Sequence, residues 1–217
     1  MAEGTIKKKK AQAFWNWFLE NKDSFADGDA PEELRTGLTD VLHAYNEKLS
    51  FEISPAVDGI QQLVISAAGD RDEFASVGRL TGTAPQIDGW HVIAFKPAKG
   101  FTDPIEHKGI TLDPAQMWFL PLSNETKPDA LGLRIAIPGL TEEQIRNATD
   151  GAWMVVDNGL GEKTSGDEIQ HIEVVPLPED PKKLGYVVLN EIEPFISWRR
   201  EHKCEDGANQ KKGPTIH

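Results

Sequence analysis

Hydrophobic and polar residues alternate along residues 49–97 in a way that predicts the order strand, strand, helix, strand. Every second residue is apolar over residues 49–53 and again over 63–67, and an Asp58-Gly59 turn signal lies between the two runs. A period of two is typical of a hairpin with one buried face. We therefore expect two paired strands at the start of this segment.

A helix and a third strand complete the segment. The Asp70 carboxylate can accept hydrogen bonds from the backbone amides of the first helical turn, and Glu73 can reach back as in a capping box. The apolar stripe of this helix consists of Phe74, Val77, Leu80 and Ala84. Residues 89–97 are apolar on both faces, so we expect this strand in the interior of a sheet, where both faces are covered.

The same order of elements is predicted once more in the second half of the chain. A long helix should begin at the Thr141–Gln144 capping box and end at Gly161. Strands are predicted at residues 117–123, 130–138, 168–176 and 184–189, and further helices at 11–25, 31–49 and 191–201. Residues 98–114 are rich in Pro, Gly and charge, which indicates a connection between two halves.

Together these elements predict an α+β fold made of two consecutive strand-strand-helix-strand units, with mainly antiparallel sheet and helices packed on a face. The expected organisation is a disordered basic tail (1–10), an N-terminal half (11–97), a connecting loop (98–114), a C-terminal half (115–201) and a disordered polar tail (202–217).

The chain is acidic, with a net charge of −12 and a pI near 4.9. Binding to a nucleic-acid backbone needs a Lys/Arg surface, so we expect no nucleic-acid partner. No apolar run approaches the roughly 18 residues of a membrane span, and residues 7–10 are followed by aromatic and polar residues instead of the apolar core of a signal peptide. The single cysteine, Cys204, cannot form an intramolecular disulfide, which favours a cytoplasmic location.

Four segments of the chain resemble a known family in their residues and in their order. They are FWNWF, LVISAAGD, APQIDGWHVIAFKP and DNGLGE. A chain with these segments is similar to a family of uncharacterised bacterial cytosolic proteins (a domain of unknown function), and the similarity extends from Phe14 to about Pro176. It implies a shared α+β fold and a bacterial source, and it implies no activity.

The most suggestive site lies at the predicted end of the long helix, where Asp157, Asn158 and Glu162 cluster. A helix C-terminus carries partial negative charge, so two further carboxylates there need a cation or a partner's basic group to offset them. The alternative is structural, because Asn158 and the neighbouring glycines end helices well, and Glu162 is then either exposed or paired with Arg134.

Trp15 is the other candidate for binding. Phe14, Trp17 and Phe18 share one face of their helix, which leaves Trp15 turned aside. The helix therefore either lies deep between other elements or offers an aromatic side chain to a partner.

Catalytic and metal chemistry find little support. The six histidines are scattered, with no H-x-x-x-H pair and no cysteine cluster, so we expect no metal and no cofactor. Ser66 lacks the G-x-S-x-G elbow of a hydrolase, and Cys204 lies in a polar tail that would not hold a thiolate in place.

The leading hypothesis is therefore a non-enzymatic protein-binding or regulatory module for a basic partner, because the chain is acidic and has six tryptophans. A second hypothesis is a small-ligand sensor or an enzyme with a cleft between the halves, built on Asp157 and Glu162. A third is a structural homo-oligomer, in the simplest case a homodimer, closed through exposed sheet edges.

Overall fold

A computed structural model describes the backbone of residues 2–25, 30–123 and 129–209, and the side chains of residues 4–25, 30–123 and 129–202. The pattern of contacts between residues divides the chain into two compact units. Unit 1 comprises Met1–Pro97 and Gly161–Gly166, and unit 2 comprises Ala98–Leu160 and Asp167–His217. A short stretch of the second half of the sequence is therefore part of unit 1.

Unit 1 contains three complete α-helices, the start of a fourth and one three-stranded sheet among its described residues. Its elements are α1 (Ala2–Asn21), α2 (Glu32–Tyr45), β1 (Ser50–Ile53), β2 (Gln61–Ser66), α3 (Phe74–Thr81) and β3 (Trp90–Ala94). The strand order is β1-β2-β3, with β1 antiparallel and β3 parallel to the central β2.

Unit 2 contains a two-stranded hairpin and a four-stranded sheet. Its elements are β4 (Ile105–His107), β5 (Ile110–Leu112), β6 (Trp118–Leu122), β7 (Leu131–Ile137), α4 (Ile145–Leu160), β8 (Ile169–Pro176), β9 (Val187–Val188) and α6 (Ile192–Asn209). The four-stranded sheet has the order β8-β7-β6-β9, in which only the β7–β8 pair is parallel. Helix α5 (Glu162–Glu168) follows α4 and begins in unit 1.

These sheets confirm the predicted α+β class with mixed, mainly antiparallel strands. Each unit contains an antiparallel strand pair, then helix, then a strand parallel to its predecessor: β1-β2-α3-β3 in unit 1 and β6-β7-α4-β8 in unit 2. The parallel strand follows from the helix, because a chain that crosses back over a sheet through a helix re-enters it in the same direction.

The prediction that residues 89–97 form an interior strand is wrong. The interior strand is β2, in which Leu63, Val64 and Ile65 are all buried, whereas β3 lies at the edge and is only half-buried over Val92–Ala94. An edge strand with apolar side chains on both faces cannot be distinguished from a central strand by its sequence pattern, which explains the error.

Three segments that were expected to be irregular contain regular structure. Helix α1 begins at Ala2, in place of a disordered tail over residues 1–10. Helix α6 continues to Asn209, into the tail expected from residue 202, and residues 210–217 of that tail lie outside the described residues. The expected connecting loop contains the β4–β5 hairpin.

At both predicted helix starts the chain first forms a 3₁₀ turn, Arg71–Glu73 before α3 and Glu142–Gln144 before α4, and the predicted capping is confirmed in part. The Asp70 carboxylate accepts a hydrogen bond from Asp72 N at 3.1 Å, and Gln144 Oε1 accepts one from Thr141 N at 3.1 Å. Glu73 does not reach back as expected. It accepts hydrogen bonds from Asn46 Nδ2 at 2.5 Å and from Ser76 Oγ at 3.2 Å.

The two units have separate cores of different composition. Unit 1 is built on aromatic side chains, among them Phe14, Trp15, Phe18, Phe25 and Trp90. Unit 2 is mainly aliphatic, with β7 and α4 as its centre. In the described part of the chain, no helix combines the length and apolar character that crossing a bilayer requires.

Candidate functional site

The most unusual side chain of unit 1 is Glu162, a carboxylate that is 2 % exposed. Its Oε1 accepts hydrogen bonds from Ala67 N at 2.7 Å and Gly69 N at 3.2 Å, and its Oε2 accepts one from Lys96 N at 3.0 Å. Charge-assisted bonds of this kind are stronger than neutral ones, and a buried carboxylate needs them. The three amides thus form a binding site for an anion that the chain fills itself.

Local backbone conformation explains why these amides converge. The strands β2 and β3 are parallel, so their carboxyl ends meet at one edge of the sheet. Ala68 (φ 50°) and Gly69 (φ 82°) turn left-handed just after β2, and Phe95 (φ 69°) does so just after β3. Successive turns of this type direct N–H groups to one point and form an anion-binding nest.

Left-handed conformations are unfavourable for Ala68 and still more for Phe95, since their Cβ atoms crowd the backbone. The hydrogen bonds to Glu162 offset that cost. Without the carboxylate, three amides at strained or buried positions would lose their partner.

The residues after Glu162 hold the same segment in place. Lys163 Nζ lies 5.6 Å from the ring centres of both Phe74 and Phe95, within the range of cation–π attraction. Gly166 packs directly on the Phe74 ring, and a Cβ at this position would overlap that ring. Residues 161–166 are therefore anchored in unit 1 by a carboxylate, an ammonium group and a glycine.

Both expected structural alternatives for Glu162 are wrong. It is not exposed, and Arg134 instead forms an ion pair with Glu173. The sequence predicted a cation or a partner's basic group as the offset, but at Glu162 the offset comes from backbone amides of the chain itself. Because both oxygens of Glu162 already accept hydrogen bonds, this residue offers no free carboxylate to a ligand.

Asp157 and Asn158 lie in the last turn of α4, which belongs to unit 2. Both side chains are half-buried. The Asn158 carbonyl accepts a hydrogen bond from Lys99 N at 2.8 Å, and the next residue, Gly159, packs against the Phe101 ring. Gly161 ends the helix as predicted, with a φ of 78°. The end of α4 is thus a packed connection.

Trp15 belongs to the core of unit 1 and is 1 % exposed. Its indole Nε1 donates a hydrogen bond to the Leu80 carbonyl at 3.1 Å, and its ring meets Phe14 and Phe18 edge to face. Of the two alternatives that the sequence left open for this helix, the structure shows the deeply packed one. Trp15 is accordingly not available to a partner.

Among the described tryptophans, Trp198 on α6 is the most exposed, at 54 %. Its ring lies between Phe195 (6.2 Å between ring centres) and His202 (4.6 Å), so three rings form one continuous ladder along the helix. Ring stacking fixes the orientation of the indole while leaving a face of the ladder in solvent.

Carboxylates accompany this ladder. Glu201 is three residues after Trp198, which places it near the same side of the helix, and Glu191 lies in the 3₁₀ turn directly before α6. Both are exposed and form no ion pair within the described part of the chain. We refer to Glu191, Phe195, Trp198, Glu201 and His202 as the α6 face.

The arginines next to Trp198 do not neutralise these carboxylates. Arg200 Nε lies 2.7 Å from Glu168 Oε1, and Arg199 Nη1 lies 3.9 Å from Glu168 Oε2. Arg199 also donates to the Asp129 carbonyl at 2.9 Å. Within the described side chains, the α6 face therefore combines exposed aromatic surface with carboxylates that form no ion pair.

Sequence reasoning missed this face, although a signal was present. The buried residues of α6 are Ile192 and Ile196, and at 100° per residue Trp198 points away from both. A tryptophan opposite the buried stripe of a helix is a better candidate for an exposed anchor than one within an aromatic-rich helix such as α1.

Comparisons with protein-family models, with curated proteins and with solved structures find no match for this chain. The resemblance to a bacterial cytosolic family therefore stays a prediction, and any function has to be inferred from the residues themselves.

Proposed function

We propose that this protein is a non-enzymatic binding module and that its α6 face holds a basic segment of a partner protein. The observation that carries the proposal is the exposed Trp198 ring, stacked between Phe195 and His202, with the exposed Glu201 three residues further along the helix and the exposed Glu191 directly before it. Tryptophan is the residue most enriched among the anchors of protein interfaces.

The chemistry of this face selects the partner. A guanidinium or ammonium group can lie over the indole ring by cation–π attraction while a neighbouring basic group pairs with a carboxylate. The overall charge of −12 would attract such a partner over distances beyond direct contact and speed its approach. A hydrophobic anchor with an acidic rim thus favours an arginine- or lysine-rich segment.

The proposal is tested with a fluorescein-labelled nona-arginine peptide, whose binding to the full chain is followed by fluorescence anisotropy at moderate salt. We expect Trp198→Ala to weaken binding about tenfold, equivalent to about 1.4 kcal/mol. The double variant Glu191→Gln/Glu201→Gln should weaken it to a similar extent, and raising the salt concentration should reduce the difference between this variant and the unmodified chain.

Two matched controls separate a defined site from general attraction to an acidic protein. Glu20→Gln/Glu47→Gln removes the same charge from exposed positions of unit 1, and Leu184→Ala removes an exposed apolar side chain (59 % exposed) elsewhere in unit 2. Both should bind the peptide as the unmodified chain does. Equal weakening by the controls would contradict the proposal.

The same variants address self-association. Sedimentation velocity of the chain alone would show whether the α6 face is covered by a second copy. A dimer that Trp198→Ala converts to monomer, together with absent peptide binding, would overturn the proposal and assign the face to a homodimer interface.

A further inference from the structure

Unit 1 contains a cavity whose charge is opposite to that of the chain as a whole. It has a volume of about 220 Å³ and lies where α1, the end of α2 and the end of α3 meet. Its lining includes Lys7, Lys8, Ala11, Tyr45, Arg79 and Thr83. Three of these side chains are cationic and none is acidic, in a protein with a net charge of −12.

The interior of the cavity is apolar and fixed. Ala11 and Tyr45 are both buried, at 5 % and 8 % exposure. The Tyr45 hydroxyl donates its hydrogen bond to the Ser76 carbonyl at 3.0 Å, so its ring is held in one position as part of the wall. Burial raises the pKa of Tyr45, and the neighbouring Arg79 opposes that shift, which places a guanidinium next to the ring.

The polar groups left for a ligand are cationic. Thr83 Oγ1 already donates within α3 and its end, to the carbonyls of Arg79 and Leu80. Lys8 and Arg79 are the charged groups at the cavity that do not form an ion pair in the described part of the chain. An occupant therefore needs an apolar body for the interior and an anionic group for the cations.

We propose that this cavity binds a small amphipathic carboxylate, with its apolar part against Ala11 and Tyr45 and its carboxylate between Lys8 and Arg79. The volume limits the ligand, because drug-sized molecules occupy pockets of about 300 to 1,000 Å³. A monocarboxylate of about eight carbon atoms is of the appropriate class. This site is independent of the α6 face, which belongs to unit 2.

The test uses three probes with the full chain in isothermal titration calorimetry: octanoate, octanol and inorganic phosphate. Octanoate has both an apolar body and a negative charge, whereas octanol has only the apolar body and phosphate has only the charge. We expect saturable one-to-one binding of octanoate and at least tenfold weaker binding of the other two. Equal binding of octanol, or no heat with millimolar octanoate, would overturn the proposal.

Variants then locate the site. Arg79→Gln and Lys8→Gln should each weaken octanoate binding several-fold, and the double variant should abolish it. Lys10→Gln is the matched control, because it removes the same charge from the same helix at a position that does not line the cavity. If Lys10→Gln weakened binding as much as Lys8→Gln, the carboxylate would be attracted by the lysine cluster in general, and the cavity site would be refuted.

Discussion

The two units share a strand-strand-helix-strand motif but place their charged and aromatic groups in opposite ways. Unit 1 buries its aromatic side chains, encloses a carboxylate in backbone amides and lines a cavity with cations. Unit 2 has an aliphatic core and leaves an aromatic ladder and two carboxylates in solvent. The differences reside in α1 and α2 of unit 1, in α6 of unit 2 and in the crossovers themselves. Helix α3 contributes Arg79 to the cavity, and the segment after α4 contributes the enclosed Glu162.

The crossovers between the parallel strands differ as well. In unit 1 a single short helix, α3, connects β2 to β3, whereas in unit 2 the chain from β7 to β8 passes through α4 and then α5. The second crossover breaks at Gly161 and contributes residues 161–166 to unit 1. The two crossovers thus have similar topology, but only the crossover of unit 2 contributes a segment, residues 161–166, to the other unit.

The largest expected contrast between the units concerns their tryptophans. Trp15→Ala should destabilise the protein by about 3–5 kcal/mol, because it opens a large cavity in the core of unit 1. Trp198→Ala should change stability by less than about 1 kcal/mol, since the side chain is 54 % exposed. Urea unfolding of both variants measures the difference, and similar losses of stability would contradict the assigned roles.

A similar contrast is expected for the carboxylates. Glu162→Ala should cost about 3 kcal/mol, because it leaves buried amides without an acceptor. Glu162→Gln should cost less, since its carbonyl oxygen can still accept two of the bonds. The control is Glu201→Ala in unit 2, which is exposed and should be nearly neutral. A neutral Glu162→Ala would show that the amides do not depend on this side chain.

Glycine positions sharpen the comparison at a smaller scale. A Cβ at Gly159 would overlap the Phe101 ring, so Gly159→Ala should destabilise unit 2 by about 1–3 kcal/mol. Gly78→Ala in α3 of unit 1 meets no atom within 4 Å and should stabilise by about 0.5–1 kcal/mol through helix propensity. Thermal unfolding distinguishes the two, and the account fails here if Gly159→Ala is as well tolerated as Gly78→Ala.

The smallest expected effect is a dependence on acid pH that arises in unit 1. Hydrogen bonding to Lys48 lowers the pKa of Asp70 below its ordinary 3.8, and hydrogen bonding to Asn46 is the main cause that lowers the pKa of Glu73 below 4.5. Groups with a lowered pKa stabilise the folded state above their unfolded pKa, and this contribution is lost as the pH falls through the folded values.

Stability should therefore decline below about pH 4, and Lys48→Gln should make the decline shallower because both carboxylates lose a cationic partner. Chemical unfolding of both proteins between pH 2 and 6 measures this. An unchanged pH profile in Lys48→Gln would show that the lysine does not contribute. Lys10→Gln, which removes a cation of α1 that forms no ion pair in the described part of the chain, is the matched control.

Local patterns were sufficient to predict most elements and the helix starts. The strand β7 lies within the predicted strand 130–138, and its alternating residues Leu131, Leu133, Ile135 and Ile137 are all buried. The Asp70 and Thr141 starts depend on residues within one turn of each other, so their chemistry is visible in sequence. The helical spacing of α6 would likewise have been sufficient to predict that Trp198 is exposed.

The remaining features depend on residues that are distant in sequence. The amides of Ala67 and Lys96 lie 95 and 66 positions from Glu162, and their convergence follows from the parallel pairing of β2 with β3. The strand β3 lies at the sheet edge because β2, and not β3, pairs with two neighbouring strands. The cationic cavity likewise brings Lys7 and Lys8 of α1 together with Arg79 of α3. Periodicity carries no information on such pairings.

The most direct test of the α6 face is a two-dimensional ¹H–¹⁵N NMR titration of the full chain with unlabelled nona-arginine, followed at the tryptophan indole N–H signals. The Trp198 signal, assigned with Trp198→Phe, should shift progressively as peptide is added, whereas the Trp15 signal should stay in place because its N–H is buried and bonded to Leu80. Peptide binding that leaves the Trp198 signal unmoved would contradict the proposed function.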